Sequence, residues 1–193
     1  IIPGSVKIIG DNAFSGCEKL SNVRISNGVI SIGDDVFKEC VALKEITIPE
    51  SVTEIGENAF NSCTMLMTIT IPQNVTVIGE GAFCNCTRLT EINVDEGNTT
   101  YSSEDGVLFN EGKTELICCP AGKVGDYEVP SGVTSISDYA FSSRGEIFTV
   151  TIPVSVTTIA DFAFAGSSQY VNLIVEPGSK AHEFAITNSI PYT

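Results

Sequence analysis

A 23-residue repeat is the feature that most constrains what this chain of 193 residues can fold into. Phenylalanine recurs at that interval, and the series breaks once, by a gap of 58 residues, before it resumes. Valine and isoleucine columns keep the same interval ahead of each phenylalanine. A chain with so short a period folds as a stack of equivalent units, because one unit is too small to bury its own apolar face. The phenylalanine column consists of Phe14, Phe37, Phe60, Phe83, Phe141 and Phe164.

Each unit predicts a strand, a bend and a short helix. Residues 68–71, Thr-Ile-Thr-Ile, alternate polar and apolar side chains, as a half-buried strand does. Pro72 follows and ends the strand, because proline has no N–H for a sheet ladder. Residues 75–79 predict a second short extended stretch and a turn. Apolar residues three apart in residues 82–89 favour one or two turns of α- or 3₁₀-helix.

The repeat therefore predicts a repeat solenoid, mainly β with short helices, that has a parallel sheet on one face. We expect a single solenoid domain over residues 1–193. Regular 23-residue repeats fill residues 3–94 and 130–175, and a modified hairpin repeat of 35 residues, 95–129, lies between them. Residues 176–193 predict a C-terminal cap, which covers the apolar end of the last coil.

The modified repeat and the cap each have a local pattern of their own. In the modified repeat, two apolar stretches, residues 107–109 and 116–117, flank a polar turn at residues 110–113, which predicts a β-hairpin. In the cap, Ser179 is suited to start a short helix whose apolar residues include Phe184. At the other end, Ile2-Pro3 matches the end of a strand, so we expect an earlier coil before residue 1, and no signal peptide is visible.

The repeat pattern closely resembles the BspA-like leucine-rich repeat, the Treponema pallidum type. Residues 49–71, Pro-Glu-Ser-Val-Thr-Glu-Ile-Gly-Glu-Asn-Ala-Phe-Asn-Ser-Cys-Thr-Met-Leu-Met-Thr-Ile-Thr-Ile, match it almost column for column, and residues 101–109 are similar to its hairpin unit. The resemblance implies a leucine-rich repeat solenoid, a right-handed β/α coil. It also implies an extracellular or cell-surface protein, commonly of a host-associated bacterium, that binds proteins or host matrix and has no catalytic residues.

Composition excludes several function classes. Ten Lys and Arg stand against 24 Asp and Glu, a formal net charge of −14, which argues against a nucleic-acid partner. No apolar run approaches the roughly 20 residues of a membrane-spanning helix, so no membrane insertion is expected. The single His leaves no two-His metal site, and no nucleophile elbow or phosphate loop occurs. We therefore predict no enzyme, no catalytic residues, no metal site and no cofactor.

Two surfaces are the candidate binding sites. The first comprises the side chains that point outward from the predicted sheet: Asn22, Arg24, Glu45, Thr47, Thr68, Thr70, Glu91, Asn93, Thr149 and Thr151. The second is the modified repeat, which holds eight acidic residues against two lysines, and its candidates are Glu104, Asp105, Glu111 and Glu115. Insertions in repeat arrays map to loops on one face, often the binding face, although this unit could also serve only curvature and solubility.

Two polar columns have a structural and a chemical interpretation. Cysteine recurs in four units, and a buried ladder of free thiols is favoured over a metal site or disulfides. Arg144 and Ser167 take that column in the later units. Acidic residues also recur in six units, either accepting N–H groups at the start of each short helix or bridging coils through calcium. The two columns are Cys17, Cys40, Cys63 and Cys86, and Asp11, Asp34, Glu57, Glu80, Asp138 and Asp161.

These patterns leave two functions open. The first is a non-catalytic interaction or adhesion module that binds a protein or an extracellular-matrix ligand, or else a glycan. The second is a structural spacer within a larger surface protein, with no ligand of its own. Extended repeat surfaces usually bind macromolecules, which favours the first.

Overall fold

The computed structural model describes residues 1–143, 148–167 and 169–193. Within these residues one helix is found, α1 (Lys180–Thr187), and all other regular structure is short strands. The strands are β1 Ile8–Ile9, β2 Asn22–Arg24, β3 Ser31–Ile32, β4 Glu45–Thr47, β5 Glu54–Ile55, β6 Thr68–Ile71, β7 Val77–Ile78, β8 Glu91–Val94, β9 Tyr101–Glu104, β10 Val107–Asn110, β11 Glu115–Cys118, β12 Tyr127–Glu128, β13 Ser135–Ile136, β14 Phe148–Ile152, β15 Thr158–Ile159 and β16 Val171–Val175.

Two rows of parallel strands run along the stack of coils. We call the row formed by β2, β4, β6, β8, β12, β14 and β16 the outward sheet. These strands pair in three groups, β2–β4, β6–β8 and β12–β14–β16. Within each group the register shifts by one repeat, so that Asn22 lies opposite Glu45 and Thr68 opposite Glu91. The second row contains β1, β3, β5 and β7 in the first half and β11, β13 and β15 in the second. The predicted β solenoid with a parallel sheet is therefore confirmed.

The helices predicted inside the repeats are wrong, because those segments form successive turns instead. Two residues in each regular coil except the last, where only Gly166 does so among the described residues, adopt the left-handed backbone conformation, which a right-handed helix excludes. In the third coil they are Asn58 (φ 51°) and Ser62 (φ 63°). The same positions in the neighbouring coils are taken by Asn12, Gly16, Asp35, Glu39, Gly81 and Asn85.

Hydrogen bonds between coils replace the bonds of a helix. Every second N–H in the turn segment points to the next coil: the N–H of Asn12 donates to the carbonyl of Asp34 at 2.8 Å, and that of Phe14 to Val36 at 2.9 Å. The intervening N–H groups close turns within their own coil, as that of Ala13 does on Gly10. The turn segments thus form a third hydrogen-bonded side of the stack, and each coil depends on its neighbour for its backbone partners.

The core is a column of stacked phenylalanine rings with aliphatic side chains around it. The rings of Phe14, Phe37, Phe60 and Phe83 lie 5.4, 5.5 and 5.8 Å apart and nearly parallel. Phe37 and Phe60 have no exposed surface. The column resumes with Phe141 and Phe164 at 4.9 Å.

Cys119 takes the phenylalanine position in the modified repeat. Its N–H donates to the carbonyl of Ala140, just as the N–H of Phe37 donates to Ala59. Cys119 is buried, with 2% of its surface exposed. The smaller side chain sits at the point where the ring column breaks.

The modified repeat is a three-stranded antiparallel unit. β10 and β11 pair as the predicted hairpin, and β9 pairs along the other edge of β10, within the residues 101–109 that resemble a hairpin unit. The side chains of β10 alternate between two cores. Leu108 belongs to the core of the first half, while Val107 and Phe109 belong to that of the second, and all three are fully buried.

The C-terminal segment packs against the last coil. The Ser179 side chain accepts a hydrogen bond from the N–H of His182, and Ala181, Phe184 and Ala185 of α1 are buried. Tyr192 lies in a bridge to Leu173. The only histidine of the chain serves this cap, since its Nδ1 accepts from the Gly178 N–H at 2.9 Å and its ring packs edge-on against Tyr192. In the described parts of the chain, no helix has the length and apolar character that crossing a membrane requires.

Candidate functional site

The outward sheet presents a polar surface in its first half. The alternation of apolar and polar residues buries Ile69 and Ile92 and leaves the residues beside them exposed. Strand pairing then sets these side chains in rows, with Arg24 next to Thr47 and Thr70 next to Asn93. The exposed predicted residues are Asn22, Arg24, Glu45, Thr47, Thr68, Thr70, Glu91 and Asn93.

The second half of the outward sheet is more enclosed. Thr149 and Thr151 of β14 are half-buried. Beside them on β16, Ile174 is 43% exposed and lies opposite Thr151. The two halves of the predicted surface therefore differ, and the open, polar part is the one before the modified repeat.

The turn between β9 and β10 joins the two candidate surfaces. The Gly106 carbonyl accepts from the N–H of Ile92, and the Ser103 hydroxyl accepts from the N–H of Val94. A side chain at Gly106 would meet the Cα of Glu91 at 3.0 Å, so the turn lies directly against β8. Glu104 and Asp105 are exposed at this edge and extend the polar surface of the first half.

The four predicted acids of the modified repeat do not form one cluster. Glu104 forms an ion pair with Lys113 at 2.6 Å, and the Lys123 ammonium donates to the Asp105 carbonyl at 2.7 Å. The lysines of the repeat thus offset part of its charge at this end. Both contacts are exposed, where ion pairs contribute little to stability.

Glu111 and Glu115 lie at the far end of β10, at the turn toward β11. Glu111 is exposed, whereas Glu115 is half-buried and accepts a hydrogen bond from the Ser137 hydroxyl at 2.6 Å. The predicted acidic site is therefore divided between two places. One adjoins the outward sheet, and the other faces the second row of strands.

The sequence also holds a local signal for the β9–β10 turn, within residues 101–109, where the resemblance implied a hairpin. Asp105-Gly106 stands between two extended stretches, and Asp-Gly is among the strongest short-range indicators of a two-residue hairpin. Both residues have positive φ, 50° and 76°, as such a turn requires. The predicted site nevertheless did not include Ser103 and Gly106.

Three members of the acidic column, Asp11, Asp34 and Asp138, accept hydrogen bonds from the next coil rather than from their own. The Asp11 carboxylate accepts from the N–H of Asp34 at 2.9 Å, and that of Asp34 from the N–H of Glu57 at 2.7 Å. Asp138 does the same with Phe162. The expectation of a cap within each coil is corrected in this respect, because the N–H groups come from the following coil. Across the described residues, no group of three or more His, Cys, Asp or Glu is placed to hold a metal ion.

The cysteine column is buried except at its first member. Cys40, Cys63 and Cys86 have no exposed surface, and burial raises the pKa of Cys40 to about 11 and that of Cys63 to about 12. Cys17 is exposed, so its predicted burial is wrong, because it lies in the first coil, which packs against a neighbour on one side only. Ser167 is buried in the same column, and Arg144 lies outside the described residues.

Comparison with known families gives one match. The model of the BspA type leucine-rich repeat region, which contains six copies of the repeat, matches residues 1–105 and 120–188. No curated protein matches the sequence.

Three solved structures share the fold. The pneumococcal vaccine antigen PcpA is 28% identical, with a TM-score of 0.78 over 86% of this chain and 42% of that one. A leucine-rich repeat protein from Eubacterium ventriosum is 28% identical, with a TM-score of 0.71 over 88% and 51%. One from Bacteroides ovatus is 29% identical, with a TM-score of 0.63 over 92% and 49%. The chain thus spans about half the length of these structures or less.

Proposed function

This chain belongs to the BspA-type leucine-rich repeat family, and from that membership we propose that it is a non-catalytic interaction or adhesion module of a secreted or cell-surface protein. The proposed source is a host-associated bacterium, and the proposed location is extracellular. One relative in fold is a pneumococcal vaccine antigen, which supports a surface location. The proposed partner is a protein or an extracellular-matrix ligand.

The observation that carries this proposal is the exposed, in-register polar surface on the first half of the outward sheet. The alternate residues of each strand are packed in the core, which fixes the spacing of the exposed side chains. The surface is therefore ordered in the unbound protein. A preorganised surface loses little conformational entropy on binding, which favours affinity. Glu104 and Asp105 continue this surface at its edge and add negative charge.

A binding panel tests the proposal. The chain is immobilised and exposed to a set of extracellular-matrix proteins and to a glycan array, with a second immobilised solenoid of equal charge as reference. Saturable binding of a matrix protein supports the proposal. Binding of glycans alone identifies a glycan-binding module instead. An empty panel favours a structural spacer that separates other domains.

A matched pair of variants locates the binding surface. Thr47→Lys with Thr70→Lys places two cations on the outward sheet. Thr53→Lys with Thr76→Lys makes the same change on the exposed surface of the other side of the same coils. We expect the first pair to weaken binding of the selected matrix protein about tenfold or more and the second to leave it within twofold. Equal effects would place the binding surface elsewhere.

A further inference from the structure

A cleft of about 550 Å³ opens where the second row of strands is interrupted. β7 pairs with β5, whereas β11 pairs with β10 and β13. In the regular coils, the place equivalent to this gap is filled by the next strand, as β5 fills the place beside β3. The Tyr101 hydroxyl closes one end by accepting a hydrogen bond from the Ile78 N–H at 2.9 Å. The modified repeat thus creates the cleft.

The lining of the cleft is acidic and partly apolar. Glu80, Glu115 and Asp138 contribute carboxylates, and the described lining contains no Lys, Arg or His. The Ser137 hydroxyl donates to Glu115, and the Phe162 N–H donates to Asp138. These neutral donors fix the two carboxylates without compensating their charge.

None of the three carboxylates takes part in an ion pair among the residues that the structure describes. Glu80 and Asp138 belong to the acidic column, in which successive members normally stand on adjacent coils. Here the modified repeat separates them, and both line the cleft. Negative charge therefore converges on an enclosed space from two halves of the solenoid, where the electric field is stronger than on an open surface.

An aromatic ring completes the cleft. Tyr139 lines it, and its ring stacks on that of Phe162 at 5.9 Å, with Phe162 57% exposed. Tyr139 has a φ of 60°, at the place where Asn12 and Asn58 stand in regular coils. A bulky residue in this conformation is strained, and such strain is concentrated at functional sites. The face of an aromatic ring attracts cations.

We propose that this cleft binds a Lys or Arg side chain presented by a peptide segment of a partner protein. The charge of the lining requires a cation, the apolar residues suit the aliphatic stem of such a side chain, and the Tyr139 ring suits its charged head. The volume is that of a small-ligand site and fits one or two side chains rather than a folded surface. The outward sheet contributes no residue to the cleft. A negative result for the binding surface on that sheet therefore does not count against the cleft, and a negative result for the cleft does not count against that surface.

An NMR titration of the whole chain tests the proposal. The probe is tetra-arginine with both ends blocked, and tetracitrulline, which has the same shape without the charge, is the reference. We expect saturable shifts of the backbone amides around Gly81, Ser137 and Tyr139 with tetra-arginine, and binding at least about tenfold weaker with tetracitrulline. Absence of saturable shifts, or equal binding of the two peptides, overturns the proposal.

Variants separate a specific site from a general attraction to the negative chain. Glu80→Gln with Glu115→Gln should weaken tetra-arginine binding about five- to tenfold. Glu57→Gln with Glu128→Gln removes the same charge at exposed positions away from the cleft and should leave binding within twofold. Equal weakening by both pairs overturns the proposal, because it means diffuse attraction.

Tyr139→Asn tests the aromatic contribution without a risk to the fold, since Asn occupies this place in two regular coils. We expect it to weaken tetra-arginine binding at least about threefold, and unchanged binding would remove the ring from the site. A parallel titration with maltotriose distinguishes a glycan. Shifts of the same amides by maltotriose, with none by tetra-arginine, would overturn the proposal in favour of a neutral sugar.

Discussion

The thiol of Cys63 donates a hydrogen bond to the carbonyl of Phe37, one coil earlier, at 3.2 Å. Cys40 makes the same bond to Phe14, and Cys86 to Phe60 at 3.1 Å. Each thiol thus donates to the backbone carbonyl of the phenylalanine in the preceding coil. The cysteines of this column are small core residues with a polar contact, which explains their recurrence without a metal or a disulfide.

Thiol reactivity should follow position in the stack. We expect Ellman's reagent to label Cys17 rapidly in the native protein and Cys40, Cys63 and Cys86 only after denaturation, because the last three have no exposed surface. Mass spectrometry of the labelled peptides identifies the sites. Cys17→Ser should remove the fast labelling of that site, while the half-buried Cys118 can still react, and rapid labelling of Cys63 in native protein would contradict the buried ladder.

The buried thiols predict a loss of stability at high pH. Burial raises the pKa of Cys40 to about 11 and of Cys63 to about 12 from the ordinary 9.0. Above pH 9 the unfolded chain releases these protons while the folded chain retains them, so rising pH favours unfolding. Each thiol can contribute up to about 1.4 kcal/mol for each pH unit between the two pKa values.

Urea denaturation at pH 8 and pH 10.5 measures this effect. Replacing Cys40 and Cys63 by Ala should reduce the difference between the two pH values, although both variants start from a lower stability. A pH dependence that the replacement leaves unchanged would assign it to other groups.

Phe60→Ala should cost about 3–5 kcal/mol in the free energy of unfolding, the usual loss for a buried phenylalanine. Its ring stacks on those of Phe37 and Phe83 and has no exposed surface. Phe162→Ala is the control, since that ring is 57% exposed and should cost far less. Urea denaturation measures both, and a loss below about 1 kcal/mol at Phe60 would be inconsistent with its place in the core.

Asp34→Ala should destabilise the stack by about 0.5–1.5 kcal/mol, because it removes the acceptor for the N–H of Glu57. Glu57→Ala changes the same column one coil later and should cost less, since no bond from a backbone N–H to that carboxylate is found among the described residues. Thermal unfolding with and without calcium separates the two interpretations of the column. We expect calcium to leave the Tm unchanged, and a rise that Asp34→Ala abolishes would support bridging by calcium.

Association with a basic partner should depend on the acids beside the outward sheet. Neutralising Glu104, Asp105, Glu111 and Glu115 together should keep the fold and slow association several-fold, more at low salt, because the field extends over a Debye length of about 8–10 Å. Within this set, Glu104→Gln with Asp105→Asn should account for most of the change, because both residues adjoin β8. Stopped-flow mixing with a partner from the binding panel measures the rates, and Glu111→Gln with Glu54→Gln is the charge-matched control.

The spacing of the sequence was enough to predict the stack. Phe37 and Phe60 share a column in the sequence and share a ring contact in the fold, because the strands pair with a shift of one repeat. The exposed rows of the outward sheet follow from the same register. Ser179 was recognisable as the start of α1 because its side chain suits a helix N-terminus.

The turn segments could not be predicted in the same way. The left-handed conformation is favoured by Asn and Gly, so Asn12, Asn58 and Gly81 indicate it in the sequence. It is also adopted by Glu39 and Ser62, whose residue types have no such preference. The hydrogen bonds of the next coil stabilise them there, which a local pattern does not reveal. The cleft could not be predicted from the sequence for a related reason. Glu80 and Asp138 line it only because of the way in which the modified repeat packs between their coils.

The alternation of β10 between two cores has a consequence for folding. Contacts within each half join coils about one repeat apart, so each half can order or melt coil by coil. Leu108 packs in the core of the first half, and Val107 and Phe109 pack in the core of the second. Unfolding of either half therefore uncovers apolar side chains of β10, so the stabilities of the two halves are coupled through this one strand.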